Sequence, residues 1–339
     1  MSKNILSELK NPSKAFRGAP FWAWNAKLEP QELRRQIRIM KEMGLGGFFM
    51  HSRGGLNTEY LGKDWFDCIK ACADEAKKLG MDAWMYDEDR WPSGAAGGKV
   101  TKVYPEFRAR SLKIREGATS PVDSTKKDSA EAPSSTDLAW FVIVRQSESA
   151  LASYRRVADE KAVCGKEETL VCFFEQAQTT SPWYNGGTYL DTLNEKAVQK
   201  FVSVTHEHYR KEVGEEFGKV IPGMFTDEPN YSSPFPWTGC LAETFKAMHG
   251  YDVLDFLPEL FFKVGGEAFS KVRLDYHDTV TFLFVNAFSK TVGKWCGKNG
   301  LDFTGHVLCE DTLNAQTHVV GSAMRFYEFM QAPGIDLLT

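Results

Sequence analysis

Five short apolar runs along the chain each close on a cluster of polar or charged residues. They end as Phe21-Trp22-Ala23-Trp24-Asn25, Gly47-Phe48-Phe49-Met50-His51, Ala83-Trp84-Met85-Tyr86-Asp87-Glu88-Asp89, Met224-Phe225-Thr226-Asp227-Glu228 and Phe303-Thr304-Gly305-His306-Val307-Leu308-Cys309-Glu310. A run of this kind reads as a parallel strand covered on both faces. Between the first two runs, Glu29-Pro30-Gln31-Glu32 opens a helix with Leu33, Ile37 and Met40 as its apolar stripe and Gly44 as its stop. Asp64 opens the next helix, with Phe66, Ile69, Cys72 or Ala73, and Ala76 on one face, ending at Lys77-Lys78-Leu79-Gly80. Alternating strands and helices at this spacing imply right-handed crossovers and a parallel sheet. Functional groups at the C-terminal ends of such strands are how a (β/α) barrel builds its active site.

The rhythm breaks at about 105. From there to 187 the pattern becomes short and alternating, as in Trp140-Phe141-Val142-Ile143-Val144 and Leu170-Val171-Cys172-Phe173-Phe174, around a Ser/Thr/Lys/Asp-rich stretch at 120–136 that reads as an exposed loop. This predicts antiparallel hairpins inserted after the third strand, over the catalytic mouth. Helical spacing returns over 194–213 and again over about 241–300. A last helix is expected over 316–330, and Gly334-Ile335-Asp336-Leu337-Leu338 reads as the start of a sixth strand. The expected organisation is therefore α/β, a TIM-barrel-like (β/α)8 fold that is incomplete at about six strands. Residues 1–104 hold strands one to three, 105–187 the β-rich insertion, and 188–339 strands four to six. A closed barrel of this type needs eight strands, and open sheet edges favour association, so a homo-oligomer is expected if the barrel is incomplete.

Composition excludes more than it assigns. A net charge of -4 gives no basic field for nucleic acid or an anionic membrane. Tryptophans recur at the strand ends, and their faces suit the C–H groups of sugar rings, although aromatics also simply fill cores. Seven scattered cysteines without a CxxC pair read as free thiols in a reducing compartment. The start of the sequence lacks the apolar core of a signal peptide, and no later stretch is long and apolar enough to span a bilayer, so a cytoplasmic location is expected. GxxxxGK[ST], GxGxxG and GxSxG words are absent, which argues against a nucleotide cofactor and a nucleophilic serine.

The sharpest chemical word is Thr226-Asp227-Glu228-Pro229-Asn230. Adjacent acids on an extended backbone point to opposite sides, so one can enter the mouth while the other supports it. Pro229 biases Glu228 to an extended conformation. A glutamate partly desolvated near another carboxylate has the raised pKa that a general acid needs. In the second word Gly305 permits close approach, His306 could hydrogen-bond a hydroxyl or carboxylate, and Glu310 or Asp311 could be the partner carboxylate. Asp87, Glu88 and Asp89 beside Arg90 and Trp91 could bind a sugar or ligate a hard cation through oxygen. His51 with Arg53 closes strand two, and Trp24-Asn25 closes strand one.

In this order the words Phe21–Asn25, Leu33-Arg34-Arg35-Gln36-Ile37, Gly46–Arg53 and Tyr86–Gly98, with those around 226–230 and 305–316, resemble glycoside hydrolase family 106, the α-L-rhamnosidase-like proteins. The resemblance implies a (β/α)8 barrel that cleaves α-L-rhamnosides with inversion, with a calcium ion near the sugar. It implies Glu228 as general acid and Glu310 as the base toward water. Substrate contacts would come from Trp24, Asn25, His51, Arg53, Asp87, Trp91, Asp227 and His306, and metal contacts from Glu88 and Asp89. Family members are usually longer, with accessory β domains. Two competing readings are a carbohydrate-binding barrel without hydrolytic activity, and a metal-dependent hydrolase using His51 and the acids at 87–89. The lack of an HxH word after strand one counts against the latter.

Overall fold

A computed structural model of the chain describes residues 5–117, 134–266 and 269–337. Most of the expected loop at 120–136 lies outside them. Strands β1 (Phe21–Trp24), β2 (Gly47–Ser52) and β3 (Asp82–Tyr86) form where the first three apolar runs stand. The helices between them are Pro30–Glu42, with proline in its first turn, and Lys63–Leu79, closed by Gly80 at φ +63° with its N–H on Ala76 O. Leu33 and Ile37 of the first helix are buried.

Strands β4 (Arg110–Glu116), β5 (Ser135–Ser147), β6 (Ala150–Val157) and β7 (Glu168–Ala177) follow as the expected antiparallel insertion. The chain then returns to the parallel sheet through β8 (Gly223–Asp227). Two short strands after it, β9 (Pro236–Trp237) and β10 (Lys263–Val264), join the insertion sheet as its edges. That sheet runs β10-β6-β5-β7-β4-β9. The insertion is therefore stitched to the body, with Tyr154 donating to Glu259 at 2.7 Å and Arg156 paired with Asp255.

The parallel sheet is completed by β11 (Asp302–His306) and β12 (Ala332–Pro333), giving the order β1-β2-β3-β8-β11-β12. It is a curled half-barrel sheet. β12 lies two residues before the expected sixth strand: Gly334 N still donates to Gly305 O, and beyond it Ile335 and Leu337 are exposed. The expected last helix is two helices, Leu313–Val319 and Ala323–Tyr327, because Gly321 adopts φ +76° and Ser322 caps the second. The helical stretch 194–213 is likewise broken at Thr205, whose hydroxyl bonds back to Phe201 O.

Register decides which side chains share a face. Phe21 pairs with Phe49, Ala23 with His51, Tyr86 with Phe225, and Asp227 with His306. Alternation then puts these residues on the inner, concave face. The odd-out set, including Trp22, Trp24, Met50, Met85, Met224 and Phe303, packs under the helices and is buried. Phe21, Phe49, Trp84 and Phe225 form an edge-and-stack floor on the inner face. Among the described residues no helix is long and apolar enough to cross a membrane, and all seven cysteines are free.

Candidate active site

A cavity of about 620 Å³ opens at the C-terminal ends of the parallel strands. His51 from β2, Asp227 from β8 and His306 from β11 line its floor, with Phe21 and Ala23 as one wall. Arg53, Trp91 and Glu228 stand around it, and Asp336 reaches in from the segment after β12.

Asp227 is the hub. One oxygen lies 3.1 Å from His306 Nε2; the other accepts the Tyr86 hydroxyl at 2.8 Å and lies 3.6 Å from His51 Nε2. Burial works to raise its carboxyl, but His306, His51 and Tyr86 outweigh it and hold it well below the usual range. The two histidines respond oppositely. Burial lowers His51, which stays neutral with its ring edge-on to Tyr86 at 4.0 Å. Burial also opposes protonation of His306, but the closer Asp227 contact reverses this and raises it. Asp227 and His306 thus form an ion pair whenever His306 is protonated, a state that the Asp227 contact favours.

Glu228 sits at the turn out of β8. It is not extended, as the following proline suggested, but left-handed at φ +51°. Its N–H donates to His306 O at 3.1 Å, and Asn230 Nδ2 donates to its carbonyl at 3.0 Å, which together hold this sparsely populated conformation. The turn brings Glu228 back over the same cavity as Asp227 instead of away from it. Burial first, then Asp227, raises its carboxyl. Oxygen or nitrogen atoms of Glu228, His306 and Asp336 all lie within 4.8 Å of one another.

Glu310 occupies a different place. Its carboxylate accepts the Tyr327 hydroxyl and, at 2.5 Å, the backbone N–H of Asp336, and lies 3.7 Å from His306 Nδ1. It stands behind His306 and does not line the cavity. The carboxylate that joins Asp227 and Glu228 in the cavity is Asp336, which its position in an apolar-looking run gave no reason to single out.

The acids after β3 are supports. Asp87 is fully buried and accepts the Ser93 hydroxyl, which in turn accepts the Asp227 N–H at 2.8 Å. Glu88 is fully buried inside its own loop. Its Oε1 takes the N–H groups of Asp89 and Gly97, and its Oε2 those of Gly94 and Ala96, at 2.6–3.1 Å. Asp89 accepts from Ser52 and from Asn185 of the segment after β7. None of the three lines the cavity.

Trp24 is also displaced from its expected role: it lies on the helix side against Trp65, because the strand alternates and Phe21 and Ala23 take the inner positions. Asn25 is exposed beyond the strand end and outside the cavity. His51, Arg53, Trp91, Asp227, Glu228 and His306 do meet in one place.

Calcium takes an all-oxygen shell. Glu88 has two amide donors on each oxygen and nothing left to offer a cation. The Glu228, His306 and Asp336 set offers an imidazole nitrogen in place of an oxygen. Neither set fits a calcium ion.

Residues 177–333 match the family model described as alpha-L-rhamnosidase, Glyco_hydro_106. Over these residues the chain is similar to glycoside hydrolase family 106. The match spans β8, β11 and β12, and with them Asp227, Glu228, His306 and Glu310. The fold is similar to that of a rhamnosidase from Novosphingobium sp. PP1Y, with a TM-score of 0.63 at 12% identity, covering 97% of this chain and 49% of that one. A candidate beta-glucuronidase from Formosa agariphila is 20% identical over 362 aligned positions, covering 89% of this chain and 31% of that protein. The chain thus spans half or less of the length of these two relatives.

Proposed function

We propose that the chain hydrolyses a glycosidic bond, with Glu228 as the general acid. The carrying observation is a half-buried glutamate with a raised carboxyl, turned by a left-handed backbone into a cavity where a second carboxylate, Asp336, lies within 4.8 Å. Protonated Glu228 would donate to the departing oxygen, and the Asp227–His306 pair would hold the charge around it fixed. Asp336 is the partner carboxylate in this proposal, and Glu310 positions His306 and the Asp336 backbone. A carboxyl spacing of about 5–5.5 Å accompanies retention and about 6.5–9.5 Å accompanies inversion. The family resemblance implies inversion, and the anomer formed first distinguishes the two outcomes.

The family match and the Novosphingobium neighbour support an α-L-rhamnoside as substrate. A second reading, an acidic sugar, is favoured by Arg53, an exposed guanidinium on the cavity wall with no hydrogen-bond or ion-pair partner among the described residues. It agrees with the name of the Formosa relative.

The test is turnover of aryl α-L-rhamnoside and aryl β-glucuronide by the wild type and by Glu228→Gln, with the first-formed anomer read by NMR. Cleavage of either glycoside that drops at least about 10²-fold in the variant supports the assignment. Undiminished turnover in Glu228→Gln removes Glu228 from the role. Sugar binding with no turnover by the wild type points to a binding barrel.

A further inference from the structure

Trp91 reaches the rim of the cavity on the loop after β3, and a second indole stands beside it from the other sheet. Trp183, in the short turn Pro182–Tyr184 after β7, packs its ring at 5.6 Å and 61° to that of Trp91. Its Nε1 donates to Trp91 O at 2.9 Å. Arg90 lies over the Trp183 ring at 5.5 Å and donates to Asn185 at 2.8 Å. Asn185 is left-handed at φ +51°, and its amide nitrogen bonds both Asp89 and Gly97 O. The Trp183 indole is held by the bond from its Nε1 to the Trp91 backbone, while 38% of Trp91 and 40% of Trp183 remain exposed. A joint that only sealed the two sheets together would bury these rings, since each can bury 150–250 Å² of apolar surface. Here the Trp183 Nε1 is consumed and both residues keep surface open to solvent, continuous with the cavity through Trp91.

We propose that Trp183 and Trp91 form an aromatic ledge that binds the ring of the leaving group, the unit attached to the sugar being cleaved. This rests on the glycosidase reading above and extends it from the sugar to what the sugar is attached to. The bond to be broken lies at Glu228, the cleaved sugar occupies the floor at Asp227, His51 and His306, and the departing unit must then lie toward the rim. A ring with a C–H or π face stacks on indole, whereas an acyclic leaving group gains little. Arg90 and Asn185 are positioning residues that hold the Trp183 ring.

The experiment uses the full chain carrying Glu228→Gln, so that binding is measured without turnover. The affinities of 4-nitrophenyl and methyl α-L-rhamnoside are compared by calorimetry, with the matching β-glucuronide pair if those are the substrates. The aryl glycoside is expected to bind about tenfold tighter, with that advantage lost on adding Trp183→Ala and largely kept with Trp183→Phe. An aryl-to-methyl ratio unchanged by Trp183→Ala overturns the ledge while leaving the glycosidase reading standing. Failure of every glycoside to bind or be cleaved overturns the glycosidase reading and the ledge with it. Circular dichroism of each variant checks that a lost advantage is not lost folding.

Discussion

Asp227 and His306 stand directly opposite each other in the β8–β11 register, and the 3.1 Å contact between Oδ1 and Nε2 makes them one charged unit. Removing the charge of Asp227 should release His306. In Asp227→Asn the His306 imidazole is expected to titrate lower than in the wild type, which ¹⁵N-resolved NMR of the ring reads directly. Glycosidase activity should fall by about 10²-fold or more, because Glu228 then faces a repolarised floor.

The same pair fixes a pH dependence. Asp227 has a lowered folded value, so its contribution to stability is present above its unfolded value of about 3.9 and is lost as pH falls through the lowered one. His306 has a raised folded value, so its contribution is complete below about 6.5 and is lost as pH rises through the raised one. His51, His206 and His277 are lowered by burial and act with the opposite sign. The readout is therefore a difference. The gap in Tm between wild type and His306→Asn should narrow as pH is taken from 6 to 9; a constant gap would contradict the charged pair.

The general acid proposed at Glu228 works only while protonated. Its raised carboxyl places the alkaline limb of the kcat/KM profile above the ordinary glutamate value of about 4.5. Lowering that limb should follow from Asp227→Asn, which takes away the neighbouring negative charge.

Asp336 and Glu310 should separate by mutation. Asp336→Asn is expected to cost about 10³-fold in kcat with little change in unfolding midpoint. Glu310→Gln should cost about tenfold, since the amide keeps an acceptor for Tyr327 or the Asp336 N–H but not both. Equal losses would return Glu310 to the chemistry.

Two supports should show in denaturant. A Cβ on Gly305, at φ +125°, would collide with the Thr226 carbonyl oxygen, and Gly305→Ala should lose about 2–4 kcal/mol. Glu88→Gln turns an NH₂ group toward amides that need an acceptor, and should lose a similar amount, about 2–3 kcal/mol, with faster exchange of the Gly94, Ala96 and Gly97 amides.

The strands of the half-barrel were legible because each apolar run carries its own polar end. Gly305 was legible too, as a glycine before His306 where two backbones meet. Facing was not. Trp24 and Phe21 differ by three positions on a four-residue strand, and only the pairing with β2 says which looks inward. Glu88 was expected as a metal contact because its actual partners are backbone amides, which leave no trace in side-chain pattern. Glu228 broke the expectation set by Pro229 because tertiary bonds to His306 and Asn230 override a local steric preference. Asp336 and Trp183 escaped notice because their neighbours in space come from distant segments.

The Asn185 side chain grips Asp89 and the Gly97 carbonyl, so the seam between the two sheets runs through the very loop that presents Trp91. The proposed proton donor is anchored on β8, beside β11, on the far side of that seam. If the proposed roles hold, drift in the hairpins retunes which aglycones are accepted while the proton donor keeps its setting, a division of labour that lets selectivity diverge faster than reactivity.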